Sequence, residues 1–176
     1  MRRRTIHSFV ASALLLAGAY ANAQQAPRTP DAAAVPAKMP FDTPLGTPIS
    51  IERAKQLIDA VTAEARRRNW KYDVTVVDPN GDLIAFERMD GASLAAIGVS
   101  QGKARTAARF RRETRWFFDT FESGHAFIAT LEPGIVASPG GIPLIQDGKI
   151  IGAIGCSGGT GDQDGLLCKV GADLVK

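Results

Sequence analysis

The sequence predicts an α/β fold of the α+β kind, an antiparallel sheet with helices packed on it, and two observations predict it. The first is the order of hydrophobic periods: helix, hairpin, helices, hairpin, helix, with the β runs of each pair joined by a turn too short to connect parallel strands. The second is the stretch from Gly140 to Gly159, a glycine-punctuated hairpin that feeds a helix.

From Ile51 the apolar positions Ile51, Ala54, Leu57, Ile58, Val61 and Ala65 recur at helical spacing, with Ser50 as N-cap and Glu52 in the first turn. This helix ends near Asn69, and Arg66-Arg67-Arg68 reads as its solvated, dipole-stabilised end. The short β-branched run Tyr72 to Val77 follows. Asp78-Pro79-Asn80-Gly81 then turns the chain into a second run, Leu83 to Met89. Ala92 to Phe110 is a helix dominated by small residues, which lets its backbone approach either a sheet or a flat ligand. Glu113 to Ser123 is a shorter aromatic helix stopped by Gly124. In the second hairpin Ile142 to Gln146 enters Asp147-Gly148, a dipeptide suited to a type I′ turn, and Lys149 to Ser157 leaves it. A last helix starts at Asp162 or a neighbour and buries Leu166, Leu167, Val170 and Leu174.

The chain begins as an export signal does: Met1-Arg2-Arg3-Arg4 is basic, Phe9 to Tyr20 is a short apolar run, and Ala21-Asn22-Ala23 is a small-residue cleavage motif. Residues 1–23 are therefore expected to be a signal peptide, 24–47 a flexible Ala/Pro-rich leader, and 48–176 the folded domain. Removing 1–23 takes three of 21 basic residues and none of 18 acidic ones, leaving 18 against 18. The basic balance belongs to the signal, and the mature chain offers no case for nucleic acid. After cleavage no membrane association is expected, and the location is periplasmic or secreted. Export permits a bond between Cys156 and Cys168; two buried small hydrophobes are the alternative.

Two places carry candidate chemistry. Glycines 152 and 155 expose backbone, and the loop Ser157-Gly158-Gly159-Thr160-Gly161 opens a helix whose amides suit an anion, or else is a turn that merely packs. The second place is Glu87, Arg88, Asp90 and Lys103: Arg88 and Lys103 converge on an acidic ligand, or these residues bridge one another at the surface. His125 is the single histidine beyond residue 23, so neither a His-rich metal site nor a HExxH helix is expected. No nucleophile elbow, thioredoxin-type motif or covalent haem attachment is expected either.

Four blocks, Arg88-Met89-Asp90-Gly91-Ala92, Gly102-Lys103-Ala104-Arg105-Thr106-Ala107, Gly140-Gly141-Ile142-Pro143, and Gly152 to Gly158 with Gln163-Asp164, resemble the GlcG and HbpS haem-binding family over roughly Ile51 to Lys176. The resemblance implies a profilin-like three-layer α/β/α domain with a central antiparallel sheet of four to five strands, in a homo-oligomer, dimer or larger. It also implies haem as cofactor, with Thr106 or Thr114 matching a threonine iron ligand. His125, Met39, Met89, Tyr72 and the cysteines are the conventional alternatives. The family's sensor-type member carries ExxE iron sites, and this chain has no two glutamates so spaced. The candidate ligand-binding set is Arg88, Asp90, Lys103, Thr106, Phe110, Gly140, Gly141, Ser157, Gly158 and Gly159; the candidate iron ligands are Thr106, Thr114 and His125.

The expected function is an exported small-ligand binding protein for haem or a related tetrapyrrole, in haem handling or redox sensing. One alternative is an enzyme that acts on a small organic acid or degrades haem, with Lys103, Arg88 and Asp90 as binding or acid/base groups. The other is an interaction module partnering a sensor protein.

Overall fold

Hydrophobic periodicity and turn chemistry place nine elements in the structure, a computed structural model that describes residues 36–39 and 41–175. The signal-peptide expectation for 1–23 and most of the leader lie outside the described residues. The chain divides into two units, Met1–Lys38 and Met39–Lys176, and all the elements below belong to the second. In chain order they are α1 (Ile51–Arg67), β1 (Asp73–Val77), β2 (Leu83–Arg88), α2 (Leu94–Phe110), α3 (Thr114–Glu122), a 3₁₀ turn (Ala126–Thr130), β3 (Gly141–Gln146), β4 (Lys149–Ser157) and α4 (Gly161–Ala172).

The caps are those the sequence asks for. Ser50 accepts from the Arg53 amide at the start of α1, and Asp147 and Gly148 both take the positive φ that a type I′ turn requires. The described strands form one antiparallel sheet in the order β2-β1-β4-β3. On one face α1 and α4 bury Leu57, Ile58, Val61, Leu167 and Cys168 against Val74, Val76, Leu144, Ile154 and Cys156. On the other, α2 sets Ala104, Ala107 and Ala108 on Val77 and Ala153. These are the three layers expected.

The small residues of α2 serve this second interface. A Cβ on Gly155 would meet the Ser100 carbonyl and the Ala104 backbone, and one on Gly141 would meet the Lys103 carbonyl. Glycine backbone on two neighbouring strands lets α2 sit closer to the sheet than side chains would permit.

The folded chain starts earlier than the expected boundary at Pro48. The amide of Ile150 donates to the Pro44 carbonyl and those of Gly46 and Ile49 donate to Ile150 and Ile151, while the Arg111 guanidinium donates to the carbonyls of Phe41 and Thr43. The Ala/Pro-rich composition hid this, because the docking uses backbone groups. Cys156 and Cys168 form a disulfide with Cα atoms 5.4 Å apart, joining the end of β4 to α4. Among the described residues no helix is long and apolar enough to cross a membrane.

Candidate functional site

The chemistry gathers where β4 ends and β1 begins. Lys103 leaves α2, passes the end of the sheet at Gly140 and reaches α4 on the opposite face. Its Nζ lies 2.5 Å from Asp164 Oδ2 and 3.3 Å from the Cys156 carbonyl oxygen. Lys103 and Asp164 are 1% and 3% exposed, so this ion pair is shut away from water. Burial pushes the Lys103 ammonium down from its ordinary value, and Asp164 opposes that shift. Gly140 is what makes the passage possible. With φ +116 it occupies a conformation suited to glycine, and a Cβ there would fall 2.8 Å from Asp164 Cβ and 3.2 Å from Lys103 Nζ.

The other oxygen of Asp164 accepts from the Gly159 amide at 2.9 Å. At the same corner Thr160 Oγ1 accepts from the Gln163 amide and Gln163 Oε1 from the Thr160 amide, a complete capping box. The anion seat expected at Gly158 and Gly159 is therefore filled from within. Thr160, Gln163 and Asp164 consume amides that a ligand would need, and Asp162 and Asp164 set negative charge in the same turn. Gly158 and Gly159 instead make room for their neighbours, since a Cβ on either would strike Lys71 or Tyr72. Tyr72 Oη is buried without a hydrogen-bond partner, and burial together with the Asp164 charge pushes its pKa up.

The expected convergence of Arg88 and Lys103 on one acidic ligand does not occur, because the Lys103 charge is spent on Asp164 in the interior. Arg88 is exposed at the end of β2, where Nη2 donates to the Ala92 carbonyl at 3.2 Å, and Asp90 is exposed beyond it. The register places Arg88 and Ser157 on either side of Asp73, the first residue of β1. Asp73 is fully buried and neither of its carboxyl oxygens has a partner. Burial raises its pKa against the pull of Arg88. Sequence reasoning missed Asp73 and quoted Asp164 only within a motif block, without a role; a charged residue opening an apolar strand was the available signal for the first.

The candidate iron ligands separate. Thr106 Oγ1 accepts from the Val136 amide at 3.1 Å and Thr114 Oγ1 from the Gly141 amide at 2.8 Å, both within the packed interior. His125 is exposed between α3 and the 3₁₀ turn. Its Nδ1 lies 3.0 Å from Ser123 Oγ, and the exposed rings of Phe121 and Phe127 flank it in sequence. Phe110 stacks edge-on against the buried Phe117 at 5.0 Å. Nearby, Arg112 is held between Phe41 and Trp116. Among the described residues no group of three or more His, Cys, Asp or Glu could hold a metal. Gly155-Cys156-Ser157-Gly158-Gly159 does spell GxSxG, against the expectation of no elbow motif. Ser157, however, ends β4 in strand register opposite Asp73, and among the described residues His125 is hydrogen-bonded to Ser123 and not to Ser157.

An open groove of about 770 Å³ between residues 45–50, Arg53 and residues 146–151 is lined by none of the candidate residues.

An antiparallel sheet between α1/α4 and α2, crossed at one end by a buried lysine and a glycine corner, defines a small three-layer α+β class of domain. The model of the family described as haem degrading protein HbpS-like matches residues 49–173, and the chain belongs to that family. It is 40% identical to the protein GlcG of Escherichia coli K12 over 109 residues, 62% of this chain and 81% of GlcG. A double mutant of HbpS from Streptomyces reticuli superposes with TM-score 0.69 at 26% identity, over 84% of this chain and 99% of that one. A PduOC:haem complex superposes with TM-score 0.68 at 26% identity, over 74% of this chain and 96% of that one.

Proposed function

We propose that this protein binds haem or a related tetrapyrrole, and that it does so after export, as a homo-oligomer. The observation that carries the reading is the match of a haem-degrading family over residues 49–173, together with a relative of the same fold whose structure is a haem complex. Individual residues of the chain support the reading. Haem needs an iron ligand that is not already committed, apolar cover and cations for its carboxylates. His125 is exposed with Nδ1 turned to Ser123, which leaves Nε2 for iron, and Phe121 and Phe127 supply apolar surface on the same segment. Thr106 and Thr114 are worse placed, since ligation would require unpacking the hydroxyls that hold Val136 and Gly141. Arg88 is the exposed cation of the expected set, because Lys103 is sealed.

Titration of hemin into the purified protein tests this. A Soret band distinct from that of free hemin is expected, and His125→Ala should shift or abolish it while the far-ultraviolet circular dichroism stays unchanged. A spectrum identical to free hemin at several equivalents would end the haem reading. Export is tested separately by the mass of the protein recovered from cells, which should begin at Gln24.

A further inference from the structure

The segment that precedes α1 is docked on the sheet, yet it holds none of the candidate site residues. β4 begins at Lys149 but pairs with β1 only from Ala153 to Ser157, so its first residues have one side that β1 does not cover. Residues 44–49 fill that side. Leu45 bridges Ile150 in parallel, and the amides of Gly46 and Ile49 donate to the carbonyls of Ile150 and Ile151. A Cβ on Gly46 would fall 3.0 Å from Lys149 Cβ and 3.2 Å from Ile151 Cγ2, so the bare backbone there lets the segment lie close against both side chains. Ser50 then caps α1 and sets Arg53 at the end of the first turn.

What this docking builds is the open groove of about 770 Å³ between the segment, the start of α1 and the β3–β4 turn. Its apolar lining includes Ile49 and Ile151, both buried, and Leu45, which stays 46% exposed although its backbone is fixed to β4. Its charged lining is Arg53, Lys149 and Asp147; Asp42 and Glu52, the acids that flank the segment in sequence, are outside it. Among the described residues neither Arg53 nor Lys149 forms a salt bridge. Arg53 spends one guanidinium nitrogen on the Leu174 carbonyl at 3.3 Å and keeps its other donors. Two cations less one carboxylate leave one unit of positive charge on the lining, which suits a singly charged head better than a doubly charged phosphate. Apolar walls beside a few convergent charges select a ligand with matching halves.

We propose that this groove binds a small amphiphilic carboxylate, its head held by Arg53 and Lys149 and its apolar chain laid along Leu45, Ile49 and Ile151. The guanidinium offers the carboxylate a planar pair of donors and the ammonium a point charge, and neither has to leave an acidic partner first. The groove lining holds no histidine, cysteine, methionine or tyrosine, so it is separate from the haem reading at His125, and its test contains no haem.

The experiment titrates the ¹⁵N-labelled full chain with octanoate, with octylammonium and acetate as controls. Octanoate at millimolar levels should shift the amides of Gly46, Thr47 and Ile151 saturably. Acetate should bind at least about tenfold more weakly, because it lacks the chain that covers the apolar wall. Arg53→Gln and Lys149→Gln should each weaken octanoate about threefold to fivefold, the scale of a partly exposed ion pair, and the double variant should bind octanoate and octylammonium alike. Lys55→Gln, an exposed change on α1 outside the lining, should leave binding as it is. The amide spectrum of each variant reports its fold in the same measurement. Octylammonium binding as tightly as octanoate to the unmutated chain, or acetate doing so, would overturn the proposal. So would a loss with Lys55→Gln equal to that with Lys149→Gln, which would trace the effect to overall charge, or amides of the groove that ignore octanoate.

Discussion

Lys103 and Asp164 carry opposite charges where neither meets water, and at that depth the pair is better than either charge alone without being better than no charge. Lys103→Ala or Asp164→Ala should each cost about 3–5 kcal/mol in chemical denaturation, because each leaves a buried charge uncompensated. Lys103→Met combined with Asp164→Leu should cost less than either single change. A double variant as damaged as the sum of the singles would show that the ions do more than neutralise each other. The sequence placed Lys103 and Gln163-Asp164 in separate blocks and held no hint that they meet. Their pairing spans 61 positions and depends on Gly140 leaving room, so it exists only in three dimensions. The same is true of Asp73, which is buried between Arg88 of β2 and Ser157 of β4.

At the scale of elements, the helix–sheet contact between α2 and β4 rests on a missing side chain. Gly155→Ala would drive a Cβ to 2.6 Å from the Ala104 nitrogen and against the Ser100 carbonyl, and should cost about 1–3 kcal/mol or prevent folding. Gly98→Ala on the exposed side of the same helix meets nothing within 4 Å and should gain about 0.5–1 kcal/mol. Thermal melting of both variants checks the pair, and a neutral Gly155→Ala would mean that α2 floats on the sheet. Element identities were legible because period, cap and turn agree: Ser50 caps, Asp147-Gly148 turns, and β-branched Tyr72 to Val77 extends. The glycine-rich opening of α4 was legible as a helix start. Its role was not, because the same amides can serve a ligand or the chain's own Thr160, Gln163 and Asp164.

For the whole molecule, the Cys156–Cys168 disulfide encloses the corner that holds Asp164, its ends separated by 12 in sequence. Closing a loop of that length removes about 3 kcal/mol of unfolded-state entropy in the chain-entropy model. Cys156→Ala with Cys168→Ala should therefore melt earlier by that amount, and reductant should lower the stability of the native protein but not of the variant. Equal stability in both would place the contribution in packing alone.

By itself the sequence determined the class of this protein: alternating periods and two tight turns require an antiparallel sheet with helices, and four motif blocks identify the HbpS-like family. Those signals are local, written within a turn or a strand. Only the tertiary structure decided what the motif residues do, because burial, pairing and access arise between segments far apart in the chain. It took Lys103 out of the candidate ligand site and closed the glycine corner on itself. It also left His125 exposed and an unpartnered Asp73 beside Arg88.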